Sequence, residues 1–218
     1  MDFPPKVVAS VVSPEEAKEA KALGADIIEV RVDLLHGDAL AATESIYSLG
    51  LPLIITIRPE YEGGHYKGSD RDRVAIFEKL MPYAAFIDVE LKARALDEIV
   101  RRTKGTDVLP IVSSHDFKKT PSNAIMLRTL DRCLKKGGIA KLAVTPHSLS
   151  DVLRVYEVTL KAKRPSCTIA MGLTGRHSRI MAPVYGSVLT YGYVRKPVAP
   201  GQMRVDKIVE GLTLLGLR

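Results

Sequence analysis

Eight short apolar stretches, each the length of a β-strand, alternate along this chain with helix-like segments, and no linker interrupts the alternation. The strand candidates are 6–12, 26–33, 52–58, 85–91, 107–115, 139–146, 167–173 and 189–194. Helical patterns fill most of the intervals, among them 14–23, 70–81, 94–102, 121–136 and 149–161. Ser13 before Pro14-Glu15-Glu16 is a helix start: a capping hydroxyl, a proline where no N–H is needed, then acids at the positive end of the helix dipole. Thr120-Pro121 repeats that logic. Strands alternating with helices pair in parallel, because each helix carries the chain back before the next strand begins. Eight such units close into a (β/α)8 barrel, here an α/β single domain spanning 1–218, with short loops because ~250 residues is usual. The competing architecture is an open doubly wound sheet. Its glycine-rich turn after the first strand is missing, since Val11-Val12-Ser13-Pro14 occupies that place.

Hydrophobic residues make up 46% of the chain, enough for a sizeable core. No apolar run approaches the roughly 20 residues that span a bilayer. Met1-Asp2-Phe3-Pro4-Pro5-Lys6 lacks the apolar centre of a signal peptide. Cys133 and Cys167 are too few for a disulfide framework, so a cytoplasmic location is expected. The net charge of +7 raises nucleic acid as a partner. However, Arg101-Arg102, Lys118-Lys119 and Lys135-Lys136 are isolated pairs with no interleaved aromatics on which bases could stack. They read as solvated helix faces whose field draws in a small anionic substrate, with no nucleic acid and no membrane as partner.

Alternate residues of a strand point to opposite faces. In 26–33, Ile28, Val30 and Val32 share the face that should meet the helices, which turns Glu29, Arg31 and Asp33 toward the barrel interior. Buried charges there must pair with one another or face a polar site. Asp33 fits a structural ion pair best. Further polar residues fall at strand C-termini, where barrel active sites lie: Arg58 and Glu62 after the third strand, Asp88 and Glu90 on the fourth, His115 ending the fifth, Arg179 after the seventh and Gln202 after the eighth.

Lys141 lies inside Ile139-Ala140-Lys141-Leu142-Ala143-Val144, which otherwise reads as a buried strand. Burial strips water from an ammonium and favours the neutral amine, which can attack a ketone and form a Schiff base. The bland alternative is a lysine whose head reaches water. His115 ends the preceding strand, and neighbouring strands are about 4.8 Å apart, so the two side chains can converge on one ligand. Histidine titrates in the range that imine chemistry needs. Arg31, Arg58 and Arg179, from separate strands, offer forked hydrogen bonds to a carboxylate and would help keep the lysine neutral. Glu29 and Glu62 would balance their charge and accept hydrogen bonds from substrate hydroxyls or the histidine. Pro197-Val198-Ala199-Pro200-Gly201-Gln202 is a stiff loop placed to close over the barrel mouth. No metal-ligand spacing appears: His36, His65, His147 and His177 are isolated and no Cys-x-x-Cys pair exists. Gly172-Leu173-Thr174-Gly175 lacks the ending of a phosphate loop. An aldolase using a lysine imine stays open on these residues, as does a basic binding module.

In order along the chain, six segments resemble those of type I 3-dehydroquinate dehydratases. They are Glu29-Val30-Arg31-Val32-Asp33, Thr56-Ile57-Arg58 through Glu62-Gly63-Gly64, Ser114-His115-Asp116 through Pro121, Lys141 through Pro146, Met171-Gly172 through Ser178-Arg179, and Ala199-Pro200-Gly201-Gln202. The resemblance implies conversion of 3-dehydroquinate to 3-dehydroshikimate and water in the shikimate pathway of aromatic amino acid biosynthesis. Lys141, His115 and Glu62 would be the catalytic residues; Glu29, Arg31, Arg58, Arg179 and Gln202 would bind substrate. Arg179 would hold the carboxylate, with Arg58 and Gln202 contributing. The resemblance implies no cofactor and no metal, and it implies a homodimer. One departure stands out: members often carry a serine where this chain has Val198, which would remove a hydroxyl contact.

Overall fold

The structure, a computed structural model, describes residues 4–218. Met1, Asp2 and Phe3, part of the N-terminal segment read above, lie outside the described residues. The strands are β1 (Lys6–Val11), β2 (Ile27–Arg31), β3 (Leu53–Thr56), β4 (Phe86–Glu90), β5 (Leu109–Asp116), β6 (Ile139–Val144), β7 (Ser166–Ala170), β8 (Leu189–Tyr193) and the two-residue β9 (Met203–Arg204). All ladders are parallel, in the order β7-β6-β5-β4-β3-β2-β1-β8-β9. A single α/β domain results, a parallel sheet curled into a barrel with helices outside it. No regular ladder joins β7 to β8. The seam is held by Val188 N–H donating to the Ser166 carbonyl at 2.9 Å, by Thr168 N–H donating to Ser187 Oγ at 3.2 Å, and by Cys167 Sγ donating to the Leu189 carbonyl at 3.2 Å.

Period-two alternation divides the apolar residues into two cores. Val7, Ala9, Ile28, Val30, Ile55, Ile87, Val89, Val112, Ala140 and Leu142 face outward and pack under the helices. Val8, Ile27, Ile54, Ile111, Ile139, Cys167 and Leu189 fill the interior. Burying each larger aliphatic side chain is worth about 1.5–3 kcal/mol.

The strands are shorter than the apolar stretches suggest. β2 stops at Arg31, and Val32–Leu34 turns as a 3-10 helix. Asp33 therefore lies just beyond the strand rather than within it. The seventh stretch ends at Ala170, with Gly172–Gly175 forming one helical turn. Ser13 does cap Pro14–Ala22, its hydroxyl accepting from Glu16 N–H at 3.2 Å. Thr120-Pro121 does not open a helix: that helix is Asn123–Lys136. The Thr120 and Pro121 carbonyls instead accept from Arg154 of the next helix at 3.2 and 2.6 Å, which staples 120–121 as a loop. Helices Ala39–Tyr47, Asp70–Leu80, Leu96–Arg102, Leu149–Lys161, Ser178–Val184 and Val205–Leu214 complete the outer layer.

Candidate active site

The barrel interior changes character along its axis. Val8, Ile27, Ile54, Ile111 and Ile139 are followed two residues later, on the same strand face, by Ser10, Glu29, Thr56, Ser113 and Lys141. An apolar floor thus supports a polar layer at the C-terminal ends of the strands.

Lys141 stands in that layer, 4% exposed. Its Nζ lies 2.9 Å from Asp88 Oδ2, 3.9 Å from Glu29 Oε1 and 3.9 Å from the centroid of the Tyr191 ring. Asp88 is fully buried; its Oδ1 accepts from Arg58 at 2.7 Å and from Ser113 Oγ at 2.7 Å. Burial opposes its charge, yet Arg58, Lys141 and Ser113 outweigh burial and hold its carboxyl well below the usual range. Arg58 also pairs with Glu90, and Glu90 pairs with the fully buried Arg73 at 2.6 Å. Burial disfavours the Arg58 guanidinium, but the surrounding carboxylates raise its affinity for the proton above the ordinary value.

His115 has a side chain 10% exposed, and Glu62 Oε2 lies 2.9 Å from both its backbone N–H and its Nδ1. Burial, helped by the charge of Arg58, lowers the imidazole to about 4. The ring is therefore neutral at neutral pH. A carboxylate can only accept there, so Nδ1 carries the hydrogen and Nε2 keeps its lone pair. Phe117 stacks on the ring at 5.9 Å. Glu62 is positioned by the short turn Glu60–Glu62, and the chain then passes so close to Arg58 that a Cβ on Gly64 would sit 2.0 Å from the Arg58 carbonyl oxygen. Glycine is required there.

Arg179 is 2% exposed and differs from the other arginines. Among the described residues its Nε has no hydrogen-bond partner, and its other nitrogens reach only the Tyr191 and Pro200 carbonyls at 3.4 Å. Burial lowers it to about 10, so it stays cationic at neutral pH. Its helix is tied to β7 by Ser178 Oγ, which lies 3.1 Å from both the N–H and the carbonyl of Ala170.

The loop 197–202 folds over this site. Gln202 Oε1 accepts from the N–H groups of Val198 and Ala199 at 2.8 and 3.2 Å, while its Nε2 donates to Ser10 Oγ at 3.4 Å. Ser10 Oγ in turn donates to Glu29 at 2.5 Å, and Thr56 donates to the other Glu29 oxygen at 2.9 Å. Gly201 has φ +72° and lies against Gly172, where a Cβ would approach the carbonyl oxygen to 2.2 Å. Together these walls enclose a cavity of about 560 Å³, open mouth included.

All eight residues predicted from the sequence, Glu29, Arg31, Arg58, Glu62, His115, Lys141, Arg179 and Gln202, line this one cavity. The structure corrects how the arginines meet. Arg31 is forked onto Asp33 at 3.0 and 2.8 Å, and Arg58 is occupied by Asp88, Glu90 and Ser113, so the two are not free cations waiting for a carboxylate. Among the described residues, of these three only Arg179 has no carboxylate in ion-pair reach. Nor is Lys141 held by positive neighbours alone, because Asp88 and Glu29 face it. Sequence reasoning placed Asp88 on the right face without giving it a partner and passed over Ser10, Ser113 and Tyr191. The signal for Asp88 was its inward parity, shared with Lys141 two strands away. Among the described residues no group of three His, Cys, Asp or Glu side chains is gathered as a metal site.

Comparison with known proteins gives this geometry its relatives. The family model described as type I 3-dehydroquinase matches residues 11–218. The 3-dehydroquinate dehydratase of Methanocella arvoryzae is 62% identical over 219 residues, covering 100% of each chain. The crystal structure of 3-dehydroquinate dehydratase from Geobacillus kaustophilus superposes with a TM-score of 0.91 at 28% identity, over 97% of this chain and 91% of that one. The type I enzyme from Clostridium difficile, solved with covalent modified comenic acid, gives 0.87 at 30% identity, over 98% and 92%. The chain belongs to the type I 3-dehydroquinase family of hydro-lyases.

Proposed function

We propose that this chain converts 3-dehydroquinate to 3-dehydroshikimate and water through an imine on Lys141, in the pathway that supplies aromatic amino acids. The observation that carries the reading is a lysine buried in the wall of an open-mouthed cavity beside a neutral histidine whose Nε2 lone pair has no hydrogen-bond partner among the described residues. In its unprotonated form Lys141 Nζ adds to the ring ketone; the carbonyl oxygen takes one hydrogen from nitrogen and one from the medium and leaves as water, so nitrogen keeps one hydrogen and the positive charge. The resulting iminium is an electron sink that acidifies the neighbouring C–H. His115 Nε2 takes that proton, and Glu62 stabilises the imidazolium that forms. The electron pair left behind neutralises the iminium to an enamine, which then expels the hydroxyl from the next ring carbon with the proton returned by His115. Water adds back to the conjugated iminium and frees the product and the amine. Arg179 binds the ring carboxylate, an anion able to satisfy its unpartnered Nε. Glu29 and Arg31 meet substrate hydroxyls, and Gln202 holds the loop shut. Arg58, saturated by acids, acts on substrate through its field.

That the Clostridium enzyme was solved with a covalently modified ligand is in keeping with a nucleophilic site. The family also makes a cytoplasmic homodimer the working expectation, which sedimentation of the full chain tests. The product is a conjugated enone, so ultraviolet absorbance should rise on adding 3-dehydroquinate. Lys141→Ala should lower that rate by about 10⁴-fold or more, the scale seen when a nucleophile is removed. No turnover by the folded parent chain would refute the assignment.

A further inference from the structure

The proposed chemistry leaves Asp88 unused, although it is the group nearest the lysine nitrogen. We infer that Asp88 is the counter-ion of the cationic adduct on Lys141, a role that rests on the imine reading. The atoms balance in a way that singles it out. An ammonium plus a ketone gives an iminium plus water, with no net proton taken up or released. The single positive charge stays on the same nitrogen. The ion pair at 2.9 Å in the ligand-free site is therefore already the pair the adduct needs, and the one hydrogen left on nitrogen points to an acceptor in place.

Asp88 is built to keep its charge rather than to move protons. It is fully buried, and Arg58 and Ser113 occupy its Oδ1 at 2.7 Å each, leaving Oδ2 for Lys141. A carboxylate held this far below its usual range is a poor base and a persistent anion. The other groups facing the nitrogen do not replace it. Glu29 stands at 3.9 Å with its oxygens committed to Ser10 and Thr56. Tyr191 presents a ring face, which favours a cation by its quadrupole alone. His115 is neutral, Cys167 is a thiol pushed up to about 11 by burial, and the Arg58 and Arg179 guanidiniums repel a positive adduct. Among these groups Asp88 is the close, permanent negative charge.

The consequence is measurable. A counter-ion keeps the adduct protonated to higher pH, so the iminium outlasts alkaline conditions that would discharge an imine in water. The test is an absorbance titration of the adduct formed with 3-dehydroshikimate, because a conjugated iminium absorbs at longer wavelength than the neutral imine. The wild-type midpoint should lie above that of the imine formed by the same ketone and a simple alkylamine in water. Asp88→Asn, of the same shape, should lower the midpoint by one unit or more, a tenfold loss of the cation above it. The alkaline limb of kcat should move with it, which a purely structural role would not produce. A midpoint unchanged in folded Asp88→Asn overturns the inference. If that variant does not fold, a wild-type midpoint at or below the free imine overturns it equally. Failure of wild-type protein to give any borohydride-reduced adduct on Lys141 defeats the imine reading, and this inference with it.

Discussion

Arg58 and Arg179 border the same cavity and are almost equally buried, 4% and 2% exposed, yet their surroundings are opposite. Arg58 is gripped by Asp88, Glu90 and Ser113, with Arg73 neutralising Glu90 behind it. Arg179 touches two carbonyls at 3.4 Å and leaves Nε unbonded. Burying a guanidinium without a counter-charge is costly: burial disfavours both cations, but the carboxylates around Arg58 lift it above the ordinary value, whereas around Arg179 burial prevails and lowers it. Stability explains the first arrangement. The second is the arrangement that the proposed contact with a substrate carboxylate would complete. One wall of the site is thus a network of paired charges around Lys141, and the other holds a buried cation without a carboxylate among the described residues.

The sharpest break of that contrast is Arg58→Ala. It takes one partner from each of two buried carboxylates, leaving Asp88 to Lys141 and Ser113 and Glu90 to Arg73, and should destabilise the fold by about 3–5 kcal/mol, the range for removing one partner of a buried pair. Denaturant unfolding checks this, and an unchanged midpoint would mean the network is not structural. Arg179→Ala should do the reverse: stability held or raised, because a costly unpaired charge is gone. Its kcat/KM should fall roughly 10- to 150-fold, from losing charged hydrogen bonds of about 1.5–3 kcal/mol. Equal damage to folding from both variants would erase the distinction drawn between them. The smallest effect concerns His115, whose imidazole sits at about 4 instead of 6.5. The unfolded chain binds that proton from about pH 6.5 downward and the folded chain only near 4. Its contribution to stability is therefore present above 6.5 and is lost as pH falls through that window. The acid limb of kcat/KM should likewise lie near pH 4. A limb at 6.5 would show a solvated ring.

The same contrast marks how much of the molecule was legible in its sequence. Lys141 stood out because a charge inside an apolar strand violates local pattern, and His115, unremarkable alone, stood out because strand order puts it beside that lysine. Asp33 was readable as a structural ion-pair residue, although the pair with Arg31 forms across the turn that follows β2 and not along a strand face. Nothing local separates Arg58 from Arg179, since both are arginines near strand ends. What separates them is which acids the barrel's curvature brings across, and Asp88 lies on β4 while the lysine it meets lies on β6. Strand ends were overestimated for a related reason. Val32 is as apolar as any strand residue, but the chain turns after Arg31, and Asp33 accepts from His65 N–H at 3.1 Å.

The central claim is an imine on Lys141, and the direct measurement is peptide mass spectrometry after borohydride treatment of the folded protein with 3-dehydroquinate. A reduced adduct on the peptide containing Lys141, absent from Lys141→Ala, is the predicted result. An unmodified Lys141 in protein that turns substrate over would contradict it and require a mechanism without the lysine.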